Sequence, residues 1–184
     1  MLILIVGPSG AGKDTLLNGA RAALAQHPGI RFVRRVITRP GDMGEEDHES
    51  ATEQEFALRE AAGDFALAWR AHGLHYGIPA DISFDLAKGR VVIANVSRAV
   101  LAEAAAQFPV AVIEITAPKA LLIQRLRQRG REDADDVARR LAREIELPLR
   151  VARQTVVNDG APEQGVQRLL AAIRDAAGLD TVQG

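Results

Sequence analysis

The chain alternates between two patterns of apolar and polar positions. Continuous apolar runs, which are typical of strands buried on both faces, lie at residues 2–6, 31–37, 91–95, 110–116 and 155–158. Stretches with helical periodicity follow them, near residues 14–26, 98–106, 118–129, 134–153 and 162–176. Because strands that alternate with helices are joined by crossover connections, the pattern predicts an α/β fold in three layers, with a parallel sheet between helices.

Residues 38–89 interrupt this rhythm. They begin with a polar, glycine-rich stretch, which is followed by a short helical pattern near 52–62 and two apolar runs near 65–69 and 74–78. We interpret them as an acceptor-binding subdomain inserted over the carboxyl edge of the sheet, where open α/β sheets bind ligands. The chain is therefore predicted to form one domain, with its core at residues 1–37 and 90–184.

Composition narrows the class of protein. A chain of 184 residues, 47% of them hydrophobic, can bury one sizeable core. Its net charge of −1 argues against a nucleic-acid partner, and the absence of cysteine excludes disulfides and cysteine-ligated metals. The apolar run at residues 2–6 is too short to span a bilayer, so we expect no membrane partner and a cytoplasmic location. A homodimer is left open.

A candidate phosphate-binding loop, Gly-Pro-Ser-Gly-Ala-Gly-Lys, follows the first apolar run directly and leads into a helical pattern. In this context the glycines let successive backbone N–H groups face one concavity, and the lysine reaches the β- and γ-phosphates of a nucleotide. The alternative is a glycine-rich turn without a ligand. The spacing predicts a P-loop fold that binds ATP, with its phosphates at Gly7, Pro8, Ser9, Gly10, Ala11, Gly12, Lys13, Asp14 and Thr15.

One position departs from the common P-loop pattern. The residue after the lysine is usually Ser or Thr, whose hydroxyl binds Mg²⁺, whereas here it is Asp14, followed by Thr15. A carboxylate is also a good ligand for Mg²⁺, so we expect Asp14 to hold the ion directly or through water, with Thr15 as a further candidate. Alternatively, Asp14 is only an anion favoured by the helix dipole.

Arginines and one tyrosine are the candidates for binding an acceptor. Arg39, beside the glycine-rich turn, suits an acceptor phosphate, and Arg35 is a weaker candidate. A single surface arginine is more often only solvated. Tyr76, like His72 and His75, lies in the strand-like part of the insert, where it either faces the acceptor or belongs to a hairpin surface.

A cluster of arginines at residues 125–143, where two helical patterns meet, is the candidate lid. Phosphoryl transfer depends on neutralising charge at the transferring oxygens, which arginines on a closing helical lid at about 127–140 would do. We therefore predict that Arg129 and Arg140 act with Lys13 in catalysis. The alternative is a charged helical hairpin with ion pairs between residues four apart.

These motifs resemble the guanylate-kinase-like branch of the nucleoside monophosphate kinases. The shared features are the phosphate loop, Thr38-Arg39, Gly44-Glu45, Tyr76-Gly77, the Arg-Leu-x-x-Arg-Gly lid and Asn158-Asp159. The groups with which guanylate kinases bind guanine are missing. No acidic residue precedes the Tyr-Gly pair, Ile78 replaces a small hydroxyl residue, Asp42 replaces a second acceptor-phosphate arginine, and Asn95-Val96-Ser97-Arg98 replaces Asp-x-x-Gly.

A closer resemblance, over nearly the whole chain, is to the ribose 1,5-bisphosphate phosphokinases of phosphonate catabolism. It rests on Gly-Lys-Asp at 12–14, Ile-Thr-Arg at 37–39, Glu-Gln-Glu-Phe at 53–56, Tyr-Gly at 76–77, Ser-Arg-Ala at 97–99, Arg-Gly-Arg-Glu at 129–132 and Asn-Asp-Gly at 158–160. The resemblance implies that ATP and ribose 1,5-bisphosphate, a small sugar phosphate, give ADP and 5-phosphoribosyl 1-diphosphate.

A sugar bisphosphate also needs a second cationic contact, for which Arg98, just after the central strand, is the candidate. Two alternatives remain from the residues. One is a guanylate or other nucleoside monophosphate kinase, and the other is an ATP-binding regulatory or scaffolding module. The second alternative is disfavoured because such modules tend to lose the loop lysine or the lid arginines, and Lys13, Arg129 and Arg140 are all present.

Overall fold

The computed structural model describes residues 1–40, 47–129 and 151–179. Helices and strands are numbered in chain order over these residues. The lid residue Arg140, the residues Asp42, Gly44 and Glu45, and residues 134–150 of a predicted helix lie outside them. For Arg129 only the backbone is described, at the end of a helix.

Five parallel strands form the central sheet: β1 (Leu2–Val6), β2 (Ile30–Phe32), β7 (Val91–Asn95), β8 (Val110–Thr116) and β9 (Ala152–Val157). Their order across the sheet is β2–β7–β1–β8–β9, so the first strand is central and lies between β7 and β8. Every residue of β1 and β7 is buried, as a continuous apolar run predicts for a strand covered on both faces. The predicted α/β fold with a parallel sheet is confirmed.

Helices cover the two faces of this sheet. On one face α1 (Lys13–Ala23) and α6 (Pro162–Ala176) bury their apolar sides against β1 and β8. On the other face lie a 3-10 turn (Arg98–Val100), α4 (Leu101–Gln107) and the inserted second sheet. The remaining helices are α2 (Glu53–Ala61), α3 (Ile82–Ala87) and α5 (Lys119–Arg129). Among the helices described here, none combines the length and apolar character that crossing a bilayer requires.

The second sheet has four strands in the order β4–β3–β6–β5, namely β4 (His48–Ser50), β3 (Arg35–Ile37), β6 (Leu74–Pro79) and β5 (Phe65–Ala71). Strands β5 and β6 form an antiparallel hairpin, and β3 pairs antiparallel to β6 and parallel to β4. Leu67, Trp69 and Ile78 from this hairpin pack into the same core as Leu4 and Val112 of the central sheet. The inserted segment is therefore fixed to the core by apolar packing.

The prediction of a single strand at residues 31–37 is wrong, because the structure divides these residues between the two sheets. Ile30–Phe32 pairs with β7, whereas Arg35–Ile37 pairs with β6 and β4. Arg34 lies between the two halves, outside both strands. Arg34 donates to the Asp47 carboxylate at 2.7 Å and to the His48 carbonyl at 2.9 Å, so its partners belong to the insert.

The last strand begins earlier than the sequence pattern predicts. Ala152 and Arg153, which we expected at the end of a helix reaching residue 153, instead pair with Ala111 and Val112 of β8. The alternating exposed and partly buried residues of β9 explain why its apolar run is short. A strand at the edge of a sheet needs apolar side chains only where it faces the core.

Candidate active site

The phosphate loop joins the end of β1 to the start of α1, beside the carboxyl ends of β7 and β8. Gly12, the residue before α1, has a φ of 83°, a left-handed conformation that residues with a Cβ rarely adopt. A Cβ at this position would lie 2.4 Å from the Nδ2 atom of Asn158. Gly7 is equally constrained, since its Cβ would lie 2.0 Å from the Ile115 carbonyl oxygen. The glycines therefore let the loop pass closely over β8 and β9.

The side chain of Lys13 lies over this loop. Its Nζ atom donates to the Gly7 carbonyl at 2.9 Å and to the Pro8 carbonyl at 3.0 Å. The ammonium group is thus already held within the loop, at the N-terminus of α1, where the helix dipole also favours an anion. This arrangement is suited to binding the terminal phosphates of a nucleotide.

Two residues far away in the sequence brace the loop, and our candidate site residues included neither. Asn158, just after β9, donates through Nδ2 to the Ala11 carbonyl at 2.8 Å, and this bond is buried. Arg125 of α5 donates to the Gly10 carbonyl at 3.3 Å. The resemblance in the sequence contained Asn158 as part of a motif, but nothing in its spacing showed that its side chain reaches the loop.

Asp14 begins the first turn of α1 and meets the end of the neighbouring strand. Its Oδ1 atom accepts a hydrogen bond of 3.3 Å from Nδ2 of Asn95, the last residue of β7. Within the described residues, no group of three or more His, Asp or Glu side chains is arranged to hold a metal ion. A magnesium ion at this loop would therefore depend on Asp14, on the hydroxyl of Thr15, and on oxygens from the nucleotide and water.

Arg39 follows β3 and is paired with a buried histidine that the sequence analysis did not single out. The Nη2 atom of Arg39 lies 3.4 Å from Nδ1 of His48, and Nε2 of His48 lies 3.2 Å from the carbonyl oxygen of Arg39. The Nε atom of Arg39 is buried and has no hydrogen-bond partner among the described residues. This buried donor of the guanidinium is therefore unsatisfied.

Arg35 and Tyr76 meet in the second sheet. The ring of Tyr76 stacks on Trp69, with centroids 5.3 Å apart, and the guanidinium carbon of Arg35 lies 5.2 Å from the centroid of the Tyr76 ring. Arg35 is buried, so its contact with the two rings also fixes the hairpin to β3. Whether either residue binds an acceptor stays a prediction.

Arg98 lies just beyond β7 and forms an ion pair with Glu114, a buried carboxylate in β8. Glu114 also forms an ion pair with the half-exposed Arg153 of β9. Burial raises the pKa of the Glu114 carboxyl, but hydrogen bonds and charges from Arg153 and Arg98 outweigh burial and leave its pKa below the ordinary value. Glu114 could not be identified from the sequence, because a single glutamate within an apolar run shows no partner.

The remaining candidates are Thr15, His72 and His75. Thr15 is in the first turn of α1 beside Asp14. His72 lies in the turn of the β5–β6 hairpin with a φ of 54°, and the backbone N–H of His75 donates to the Thr38 hydroxyl at 2.9 Å. The lid arginines 129 and 140 stay predictions from the sequence.

Comparison with known proteins agrees with this geometry. Residues 3–148 match a family model described as an AAA domain. The fold is similar to the crystal structure of guanylate kinase from Anaplasma phagocytophilum, with a TM-score of 0.67 and 19% identity, covering 95% of this chain and 85% of that one. Because the family model matches most of the chain, the chain belongs to the AAA-domain class of P-loop proteins.

Its sequence relatives define a narrower family. The chain is 51% identical over 162 residues to the ribose 1,5-bisphosphate phosphokinase PhnN of Acidiphilium cryptum, covering 88% of this chain and 86% of that protein. It is 48% identical over 181 residues to the bifunctional ribose 1,5-bisphosphokinase-thymidine phosphorylase of Cupriavidus pinatubonensis, of which it spans only 30%. The chain belongs to the ribose 1,5-bisphosphate phosphokinase family, as the resemblance in its motifs predicted.

Proposed function

We propose that this chain transfers the γ-phosphoryl group of ATP to the 1-phosphate of ribose 1,5-bisphosphate, giving ADP and 5-phosphoribosyl 1-diphosphate. The bond from the γ-phosphorus to the oxygen that bridges it to the β-phosphorus breaks, and ADP leaves with the electron pair. An oxygen of the 1-phosphate forms the new bond. The observation that carries this choice of acceptor is the 51% identity to a named ribose 1,5-bisphosphate phosphokinase over 86% of its length.

On the donor side, the loop from Gly7 to Lys13 binds the nucleotide phosphates through its backbone N–H groups. When a phosphate enters, Lys13 exchanges the neutral carbonyl oxygens of Gly7 and Pro8 for anionic oxygens, to which a charge-assisted hydrogen bond is stronger. Asp14, with Thr15 beside it, is the group that would hold Mg²⁺, which when bound neutralises charge on the β- and γ-phosphates.

On the acceptor side, Arg39 binds the sugar phosphate through its guanidinium, which His48 holds in place. An acceptor that is already a phosphate monoester is a nucleophile near neutral pH, so the reaction needs no general base. Tyr76 and Arg35 form the wall of the acceptor site in the second sheet, and Arg98 meets the second phosphate. Lid arginines at 129 and 140 neutralise charge on the transferring group.

The same site is a poor fit for a guanine nucleotide. The guanylate-kinase-like pattern has a hydroxyl residue at position 78, whereas Ile78 has no polar atom that could pair with guanine. Leu74 and His75 precede Tyr76 on β6, so no carboxylate is available there to accept the two N–H donors of guanine. Each buried donor without a partner costs about 1–3 kcal/mol, so discrimination against GMP should be on the order of a hundredfold or more.

A coupled assay of ADP release tests this proposal by comparing ribose 1,5-bisphosphate with GMP, dGMP and AMP as acceptors. Phosphorus NMR of the product should show the diphosphate resonances of 5-phosphoribosyl 1-diphosphate. We expect kcat/KM for the sugar bisphosphate to exceed that for each nucleotide by about a hundredfold or more. A comparable kcat/KM for GMP would indicate a nucleoside monophosphate kinase instead. ATP binding without turnover of any acceptor would favour a regulatory module.

A further inference from the structure

Asp14 and Asn95 occupy two neighbouring positions at the carboxyl edge of the central sheet. Strands β1 and β7 are adjacent and parallel, with Ile5 opposite Asn95, so the end of β7 lies beside the phosphate loop. The side chains meet there, since Nδ2 of Asn95 donates to Oδ1 of Asp14 at 3.3 Å. Asn95 is buried, so this contact is formed inside the site rather than on an open surface.

The carboxylate and the neutral side chain occupy the opposite positions from those in the usual P-loop arrangement. In P-loop proteins the neutral oxygen that binds magnesium is a Ser or Thr hydroxyl after the loop lysine, and the carboxylate comes from an aspartate on a strand. We infer that the two positions have exchanged roles here, so that Asp14 supplies the carboxylate of the magnesium site and Asn95 is the neutral positioning residue that orients it.

Electrostatics explains why the two changes occur together. Each arrangement places one negative charge and one neutral polar group at the site, which suits a cation that prefers oxygen ligands. If residue 95 were an aspartate beside Asp14, two carboxylates would be in contact and would repel each other in the absence of a cation. With an amide at this position, Nδ2 instead donates to Oδ1 of Asp14, which leaves Oδ2 for a cation. The aspartate at position 14 and the asparagine at position 95 therefore compensate for each other.

The competing interpretation is that Asp14 is only a favourable anion at the start of α1 and that Asn95 is only its hydrogen-bond partner. The exposed Glu163 in the first turn of α6 provides a matched control, because it is also a carboxylate at a helix start but lies outside the phosphate loop. Substituting Glu163 by glutamine removes a helix-start charge without changing the loop.

The inference rests on the proposed use of ATP, and its test needs no acceptor. The affinity of the full chain for a fluorescent ATP analogue, mant-ATP, is measured in EDTA and in Mn²⁺, a spectroscopically convenient substitute for Mg²⁺. The dissociation constant in EDTA divided by that in Mn²⁺ reports how strongly the cation promotes nucleotide binding. We expect Asp14→Asn to lower this ratio at least tenfold, and the isosteric double variant Asp14→Asn/Asn95→Asp to restore it to within about threefold of the wild type.

Asp14→Ser/Asn95→Asp, which rebuilds the usual arrangement, should also restore the ratio, and it serves if the first double variant does not fold. Glu163→Gln should leave the ratio unchanged. Thermal unfolding without metal should show Asn95→Asp alone as less stable than the double variant, because only the single variant has two facing carboxylates. An unchanged ratio in Asp14→Asn, or double variants no better than Asp14→Asn, would overturn the exchange. A wild type that fails to bind mant-ATP would overturn the proposed function itself.

Discussion

The side-chain amide of Asn158 donates a buried 2.8 Å hydrogen bond to the carbonyl of Ala11, and so connects the end of β9 to the middle of the phosphate loop. The backbone N–H of Asn158 donates to the Thr116 carbonyl at 2.7 Å, which fixes the residue on the sheet. Gly12 lies so close to this amide that only a hydrogen fits between them. The loop conformation therefore depends on a residue that the chain supplies 147 positions later.

This contact predicts the effect of Gly12→Ala. A methyl group at Gly12 would overlap the Asn158 amide, so either the loop or the amide must move, and such overpacking costs about 1–3 kcal/mol. We expect a folded protein whose affinity for ATP falls tenfold or more, measured by calorimetric titration. Gly63→Ala is the matched control, because Gly63 also has a left-handed φ, 77°, but has nothing within 4 Å of the added Cβ.

The control separates backbone strain from contact. Gly63→Ala should lower the free energy of unfolding by about 1–2 kcal/mol, the cost of a left-handed alanine, and leave ATP affinity unchanged. If the two variants lost stability equally and neither lost affinity, the contact with Asn158 would have no role in nucleotide binding.

Two carbonyl oxygens hold the ammonium group of Lys13 over the loop. Lys13→Met removes a charge that stabilises the transferring phosphoryl group, and a donor of this kind contributes about 3–4 kcal/mol to lowering the barrier. We expect kcat to fall by about a hundredfold to a thousandfold while the thermal unfolding temperature changes little. Lys88→Met, at the exposed end of α3, is the control, and more than a tenth of wild-type activity in Lys13→Met would contradict the assignment.

Glu114 should make the stability of the fold depend on pH in acid. Its pKa is lowered in the folded protein, so the stabilising contribution is present above the unfolded pKa, about 4.3, and is lost as pH falls through the lower folded value. Urea unfolding at pH 7 and pH 3 should show this loss in the wild type. Glu114→Gln should cost roughly 1–3 kcal/mol at pH 7 and much less at pH 3, since it leaves two arginines without their carboxylate.

The outcome also distinguishes an ion pair from simple packing. A glutamine of nearly the same size keeps the packing of β8, so a loss that is equal at the two pH values would exclude the charge as its cause. Asp159→Asn is a suitable control, because Asp159 pairs with Arg168 on the surface and exposed pairs contribute at most about 1 kcal/mol.

The sequence predicted those parts of the molecule whose signals are local. The strand, glycines, lysine and helix of the phosphate loop are contiguous, so their spacing alone was sufficient to predict the loop. The continuous apolar runs of β1 and β7 predicted a buried parallel sheet for the same reason. A strand or loop whose residues all lie in one kind of environment can be predicted from its own sequence.

Other features depend on contacts between distant residues, and no local pattern contains them. The run at residues 31–37 was interpreted as one strand, but its two halves belong to different sheets, and Arg34 between them pairs with Asp47 and His48 of the insert. The residues that hold the site arginines in place are equally hard to predict. His48 reaches Arg39 and Glu114 reaches Arg98 only because neighbouring strands bring them together, and strand order cannot be read from the period of a single strand.

Arg153 provides a matched control for the role of Arg98. Both guanidinium groups pair with the same carboxylate, Glu114, so either substitution removes one ion pair from it. They differ in position, because Arg98 follows the end of β7, next to the strand end that meets the phosphate loop, whereas Arg153 lies near the start of the edge strand β9. We therefore expect only Arg98, which is attached at the carboxyl edge of the sheet, to meet the second phosphate of the acceptor.

We expect Arg98→Ala to lower kcat/KM for ribose 1,5-bisphosphate by about tenfold to a hundredfold, since a hydrogen bond to a charged group contributes about 1.5–3 kcal/mol. Arg153→Ala should change it by less than about threefold, although it too removes an ion pair from Glu114. Activity is compared with ribose 1-phosphate, an acceptor without the 5-phosphate, which Arg98→Ala should affect far less if Arg98 meets the second phosphate. Equal kinetic effects of the two variants would leave Arg98 as a structural partner of Glu114, because the only property they share is that ion pair.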